Sequence, residues 1–542
     1  MQLNQLERKT KIILKKFLEK EEYQKVISEL KFFLIKNEEL GDYSTNLLFL
    51  IDKIAPSKKD LILNEIKKKF KVFFDPIEIK NNYLNFYLSK NIILKDIRKI
   101  IKNKEKFFRV DYGRKRKVIV EYVSANPTGP LHMGNIRAAI LGDILVEFLK
   151  LANFKVFKEY YVNDRGNQIE VLGKSILAAL EKIPWEENFY KGDYVKIIAD
   201  LIKNKIEKID DPQKIGKLAA DLILEKIIKP SLKELETTFD FYFFESDLYK
   251  NKNLVDKVLN IYKKKGLIEK QEKAIVLKLT KIGEIKDEYL IKSNGEPTYF
   301  FSDILYHYNK FFIRKFKIAI NFLGADHLDH ARRLKAALKI LTIKDFQLKF
   351  IIYQHVLLKK EEEFLKMSKR RGTFISLNDL LELINPGVIR FMFANITPES
   401  TLGFDLELAQ KQSEENPYWY CQYAYARLNS ILEKVKELNL KIPSKIDPQI
   451  IAQKFIEDEI VINIFRDLHK FKDLILIISQ ELKPNLFYEF LLNFAKKIHQ
   501  LYETKRIIKE ETDKRDIYLI KNLRDLLGFF FSIMKIKPME RI

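Results

Sequence analysis

Cysteine is almost absent: Cys421 stands alone in 542 residues. That excludes a disulfide within the chain and any multi-cysteine zinc site, and it fits a reducing compartment. Glycine is scarce at 17, and acid is in deficit, with 75 Asp and Glu against 98 Lys and Arg for a net charge of +23. An excess of that size favours a polyanionic partner such as RNA. A compositional bias toward Lys, Ile, Asn and Phe is the bland alternative, and charge does not settle it. No apolar stretch approaches the length of a membrane span. The first twenty residues carry a charged amphipathic helix pattern without the apolar centre of a secretory signal. A cytoplasmic protein with no membrane partner is expected. Hydrophobic residues at 46% and aromatics at 12% suffice for packed interiors, and the length calls for two to four domains.

What is present centres on EYVSANPTGPLHMGN, residues 121–135. Before it, Lys117–Val123 is β-branched and aromatic, as a buried parallel strand would be. After it, Ile136–Leu149 has apolar residues at helical spacing. The turn between holds Pro127, Gly129, Pro130 and Gly134. Glycine admits close backbone approach, and a helix start offers N–H groups to an anion. His132 and Asn135 lie three apart at that start, and both can donate to phosphate; simple helix capping is the plainer alternative. This is a nucleotide cradle without the lysine of a P-loop. Lys366-Met367-Ser368-Lys369 could supply the missing cations, although a charge run such as 366–371 by itself reads as solvated surface.

Residues 1–105 read as a small α/β domain, with helical patterns at Leu3–Leu18 and Tyr23–Leu34 and an alternating strand at Tyr83–Leu88. Residues 41–46 form a turn into a helix capped by Ser44 or Thr45, and 102–106 reads as a charged linker. Residues 106–400 alternate strand and helix, with strands expected at Phe154–Val162, Lys317–Leu323 and Phe346–Tyr353 and a helix at Leu328–Leu341. Such alternation predicts an α/β fold, a doubly wound Rossmann-type sheet binding ligands at the carboxyl ends of its strands. A helical insertion is expected at about 167–290. Residues 401–542 read as an α-helical bundle, and a cut after about Thr401 is expected to leave the sheet domain foldable. Tyr299 and Asp303, one helical turn apart, can share a face, although a packed aromatic beside a capping carboxylate reads as well. Asp326–His330 contains ligands suited to zinc or iron. Tyr418, Trp419, Tyr420, Tyr423 and Tyr425 read more as core than as base-stacking residues.

The pairing of SANPTGPLHMGN (124–135) with KMSKRRGTF (366–374) resembles the two signatures of class I aminoacyl-tRNA synthetases. Residues 160–168, 297–311, 324–338 and 416–432 narrow the resemblance to arginyl-tRNA synthetases. So do GDYSTN at 41–46 and the closing 536–542, so it runs nearly end to end.

The resemblance implies an N-terminal domain touching the tRNA elbow, a Rossmann catalytic domain with an insertion, and a helical anticodon-binding domain. It implies activation of arginine by ATP and transfer to the terminal adenosine of tRNA, with Mg2+ accompanying ATP, no structural metal and a monomeric chain. His132, Asn135, Lys366 and Lys369 would act on the phosphates, with Pro130, Gly134, Asp326, Met367 and Ser368 lining ATP. Glu121 and Asp303 would face the guanidinium and Tyr299 would pack on it, while Ser124, Asn126 and His327 would hold the α-amino and carboxylate end. One departure is Asn135, where that signature usually ends in histidine; its amide can still donate. The alternatives are a different class I synthetase or an RNA-binding relative that has lost catalysis.

Overall fold

The computed structural model describes residues 2–35, 37–250, 252–341, 346–360, 363–365 and 375–542. At its centre is a wholly parallel sheet of β1 (Lys117–Glu121), β2 (Lys155–Val162), β3 (Phe241–Phe244), β4 (Ile318–Gly324) and β5 (Gln347–Tyr353), in spatial order β5-β4-β1-β2-β3. Val118, Ile119 and Val120 are buried on both faces of β1, which is why this run is apolar throughout rather than alternating. Three helices matter for the site: α1 (Met133–Leu151), α2 (Tyr299–Tyr308) and α3 (Leu328–Ile340). Chain order runs outward from β1 in both directions, so it reverses between β1 and β4. In doubly wound sheets the ligand crevice lies outside the strand ends at such a reversal. Glu121 ends β1 there, and Gly324 ends β4.

The short aromatic strand β3 lies inside the stretch read as an insertion. Helices Asn167–Ala179, Asp193–Ile202 and Pro212–Ile223 precede it, and a small antiparallel sheet of Ile268–Gln271, Ala274–Leu277 and Glu288–Ile291 follows. The first and third of these helices cross with backbones touching. A Cβ on Gly173 would sit 1.8 Å from the Pro212 carbonyl oxygen.

The N-terminal domain carries a four-stranded antiparallel sheet in the order Phe32–Leu34, Tyr43–Thr45, Tyr83–Leu88, Phe74–Lys80. Three local expectations are corrected here. The helix read through Tyr23–Leu34 stops at Glu29, because Phe32–Leu34 pairs as a strand. Ser44 and Thr45 are buried strand residues, and helix Leu47–Ile54 begins after Asn46. The Asn46 amide instead ties back to the preceding segment, donating to Glu29 O (3.0 Å) and accepting from Lys31 N (2.8 Å). Finally, the expected linker ends helix Lys90–Asn103 and opens a tight turn whose Phe107 and Phe108 are buried.

The C-terminal bundle is built mainly from Pro417–Glu437, Glu459–Glu481, Leu486–Thr504 and Lys514–Met534. It is not a detachable module. Phe148 of α1 packs edge-on against Phe471 (5.9 Å) and Phe487 (5.1 Å) of the bundle. Beneath that contact Asp143 of α1, fully buried, accepts from Lys535 (2.7 Å), Arg390 (3.1 Å), Thr237 (2.6 Å) and Tyr122 (2.9 Å). A cut after Thr401 would expose the apolar face of α1 and remove Lys535 from a buried carboxylate. The N-terminal domain docks on the bundle from another side, where Asp473 accepts from Tyr43 Oη (2.7 Å) and Leu3 N (2.8 Å). Tyr418 and Trp419 are buried, and Tyr420, Tyr423 and Tyr425 are half-buried against the same core. Among the described residues, no helix is long and apolar enough to cross a membrane.

Candidate active site

The chain leaves β1 through a tight turn. Val123 and Ser124 take φ of +68° and +38°, and Ser124 N donates to Tyr122 O at 3.0 Å. A β-branched residue at positive φ is disfavoured, and such outliers gather at functional sites. The segment then passes half-buried Pro130 to His132, the N-cap of α1. His132 Nδ1 accepts from Gly134 N (3.1 Å), and Asn135 Oδ1 accepts from His132 N (3.1 Å), a reciprocal capping box. A Cβ on Gly134 would come 3.0 Å from the His132 ring, so glycine keeps that bond open. The cap thus occupies His132 Nδ1 and Asn135 Oδ1.

Beside this turn lies a buried charge network. Glu121 accepts from Lys310 Nζ (2.6 Å), Asn321 Nδ2 (2.9 Å) and Ser124 Oγ (3.2 Å). Lys310, fully buried, also lies 3.6 Å from Glu159. Glu159 in turn pairs with Arg314 and accepts from Tyr306 Oη (2.5 Å). Asn321 donates to His307 Nε2 as well (3.0 Å), which leaves the His307 proton on Nδ1 to donate to Asp303 O (2.8 Å). Burial first, then the Lys310 charge, push the His307 imidazole down to about 3. It is a neutral bridge that fixes the backbone under Asp303.

Asp303, on α2, keeps about a third of its side chain exposed (32%), and Tyr299 stands one turn earlier, exposed. Its Oδ2 meets His330 Nε2 on α3. Burial raises the Asp303 carboxyl, but the His330 contact and the fields of His330 and Lys310 outweigh it and hold it below the usual carboxylate range. Glu245, at the end of β3, lies deeper, accepting from Ser302 Oγ (2.9 Å). Burial pushes its carboxyl upward.

The family model for tRNA synthetases class I (R), catalytic domain, matches residues 96–385, more than half of the chain, and that for the DALR anticodon binding domain matches 421–542. The arginine–tRNA ligase of Acetivibrio thermocellus is 36% identical over 539 residues, covering 96% of this chain and 95% of that protein. The chain belongs to the arginyl-tRNA synthetase family. The arginine–tRNA ligase of Aquifex aeolicus is 32% identical, covering 96% of this chain and 98% of that protein. The Thermus thermophilus arginyl-tRNA synthetase structure superimposes with a TM-score of 0.76 across 100% of both chains, a likeness of fold at 20% identity.

Several residues singled out from sequence are already engaged by other groups of the protein. Glu121 is paired with Lys310 and Asn321 rather than open to a ligand. The Ser124 hydroxyl donates to Glu121 and accepts from Tyr161 N (3.1 Å). Asn126 Nδ2 donates to Gln168 Oε1 (2.5 Å). Asp326 and His327 are exposed on the loop after β4. Asp326 lies 4.0 Å from His355, while His330 turns to Asp303, so the acid and imidazole groups of 326–330 diverge instead of converging on a metal. Among the described residues no group of three such side chains could hold one. Lys366, Met367, Ser368 and Lys369 lie outside the described residues. Lys310, Asn321 and His307 were missed by sequence reasoning, and His330 was read only as a candidate metal ligand. Two of these, His307 and Lys310, sit in the same 297–311 motif that supplied Tyr299 and Asp303.

Proposed function

We infer that the chain is an arginine–tRNA ligase: it activates arginine with ATP to arginyl-adenylate and passes the arginyl group to the terminal adenosine of its tRNA. AMP and pyrophosphate are released. What carries the reading is the partly buried Asp303 carboxylate, fixed from beneath by His307 and placed beside the sheet reversal that α1 also faces.

A guanidinium presents paired N–H donors in one plane, so a carboxylate can grip it through two parallel bonds. Asp303 supplies that carboxylate and exposed Tyr299 the flat neighbour. Asn126 and His327 lie near enough in sequence to the two strand ends to take the α-amino and carboxylate end. Glu121 and Ser124 act through the wall, Glu121 as the counter-ion of Lys310. ATP, arriving with its Mg2+, would set its phosphates at the start of α1. His132 and Asn135, which cap that helix, would meet the phosphates there, and Lys366 and Lys369 would steady the leaving pyrophosphate.

The attacking group is the arginine carboxylate, ionised at neutral pH with a pKa near ~3.5. No base is needed for activation. The protein contributes alignment and neutralisation of phosphate charge as the bond to pyrophosphate breaks. In the second step a ribose hydroxyl attacks the carbonyl and AMP leaves. The basic surface and the bundle that matches the anticodon-binding model supply the tRNA contacts. ATP–pyrophosphate exchange tests the scheme. Exchange that needs arginine, and that is negligible until tRNA is added, is expected; exchange driven by another amino acid would overturn it.

A further inference from the structure

The carboxylate assigned to the guanidinium already has a partner: Asp303 Oδ2 is held by His330 Nε2, across the gap between α2 and α3. The imidazole is held in turn. Its ring stands edge-on to Phe300 at 5.5 Å, and about a quarter of its side chain (23%) reaches solvent. The ionisable groups facing it are Asp303 and neutral His307 from α2, Arg333 from its own helix, Glu288 from the neighbouring strand, and His327 at 6.3 Å from the loop before α3. Arg333 and Glu288 are themselves paired at 2.5 Å and largely cancel. Asp303 is therefore the charge that governs this imidazole.

An imidazole in that position has two states with different effects on a cationic ligand. With both nitrogens protonated it is a cation bound to Asp303, and the pocket has little net charge to offer a guanidinium. With Nδ1 deprotonated it still donates from Nε2 to Oδ2, holding the carboxylate in place. The second lone pair of Oδ2 and both of Oδ1 then remain for the ligand.

We propose that His330 is a proton-linked positioning residue for arginine: protonated it masks Asp303, and arginine binding releases the Nδ1 proton to solvent while the Nε2 bond persists. This rests on Asp303 being the guanidinium partner. Burial lowers the imidazole, but the Asp303 contact more than reverses that and sets it above its ordinary 6.5. The empty pocket thus holds this proton more tightly than a free imidazole would. The sign follows. The free protein holds the proton more tightly than the complex does, so arginine binding weakens as pH falls through the free imidazole's value. The limit is about tenfold per pH unit. The guanidinium does not titrate in this range.

The test is KM for arginine in tRNA charging by the full chain from pH 8.5 to 6, beside KM for ATP at each pH. Wild type should show KM for arginine climbing several-fold toward pH 6 while KM for ATP stays level. His330→Gln, which keeps a donor toward Asp303 but cannot become a cation, should flatten the arginine profile. His330→Asn serves if the glutamine variant does not fold. A level wild-type profile, or the same slope in a folded neutral variant, overturns the proposal. Asp303→Asn separates the two readings. If it leaves KM for arginine unchanged, the guanidinium assignment itself fails. If it raises KM while a neutral variant keeps the wild-type slope, only the proton link fails.

Discussion

Asp303→Asn is the sharpest perturbation of the pocket, because it keeps side-chain volume and removes one charge. In wild type the carboxylate sits on a backbone fixed by the neutral His307 bridge, with one oxygen held by His330. Losing one partner of a buried charge pair costs roughly 3–5 kcal/mol. About a third of the Asp303 side chain reaches solvent (32%), which places the cost at the lower end. At about 3 kcal/mol, and about 1.4 kcal/mol per factor of ten, kcat/KM for arginine should fall by at least ~10²-fold. KM for ATP and affinity for tRNA should stay near wild type, since neither ligand meets that carboxylate. Preference for arginine over citrulline, which has nearly the same shape without the charge, should shrink in the same variant. The assay is steady-state charging of tRNA with varied arginine or citrulline. Normal charging of arginine by the variant would refute the argument and leave Asp303 a packing residue.

Three further outcomes are expected. Lys369→Ala removes a cation needed mainly as charge builds on pyrophosphate, so kcat should drop by roughly 10²–10³ with little change in KM for ATP; the reverse pattern would count against that role. His307 binds its proton only near pH 3 when folded but at 6.5 when unfolded, so stability erodes as pH falls through that window by about 1.4 kcal/mol per unit. His307→Gln can keep both hydrogen bonds and should flatten this part of the pH dependence of the urea midpoint; an unchanged slope would refute it. Lys535→Met removes one cation from the fully buried Asp143 and should destabilise by about 3 kcal/mol, while Lys535→Arg should lie near wild type in thermal unfolding.

The parts of the fold that were legible in the sequence are those with a strong period or a chemical reason. The run 117–123 is apolar throughout because β1 is covered on both faces, and the turn after it holds glycine where a Cβ would strike the His132 ring. Phe241–Phe244 escaped notice because four aromatics at a sheet edge carry no period. Phe32–Leu34 is too short to break a helical pattern that continues from Tyr23. Ser44 and Thr45 look like caps by residue type, and only their pairing with Phe33 and Phe32 on one side and Asn85 and Leu84 on the other makes them a strand. Tyr299 and Asp303 fall one turn apart on a single helix, as their four-residue spacing predicts. The pairing of Glu121 with Lys310 spans 189 residues of sequence. No local pattern reveals that a carboxylate is already neutralised. The same holds for the bundle, whose helices read as independent although Lys535 and Phe471 complete the core around α1.

Charging of bulk tRNA by the full chain with ATP and each amino acid in turn tests the central claim most directly. Arginine alone should become attached, with one AMP and one pyrophosphate released for each arginyl-tRNA formed. Attachment of any other amino acid, or RNA binding without charging by any of them, would contradict it.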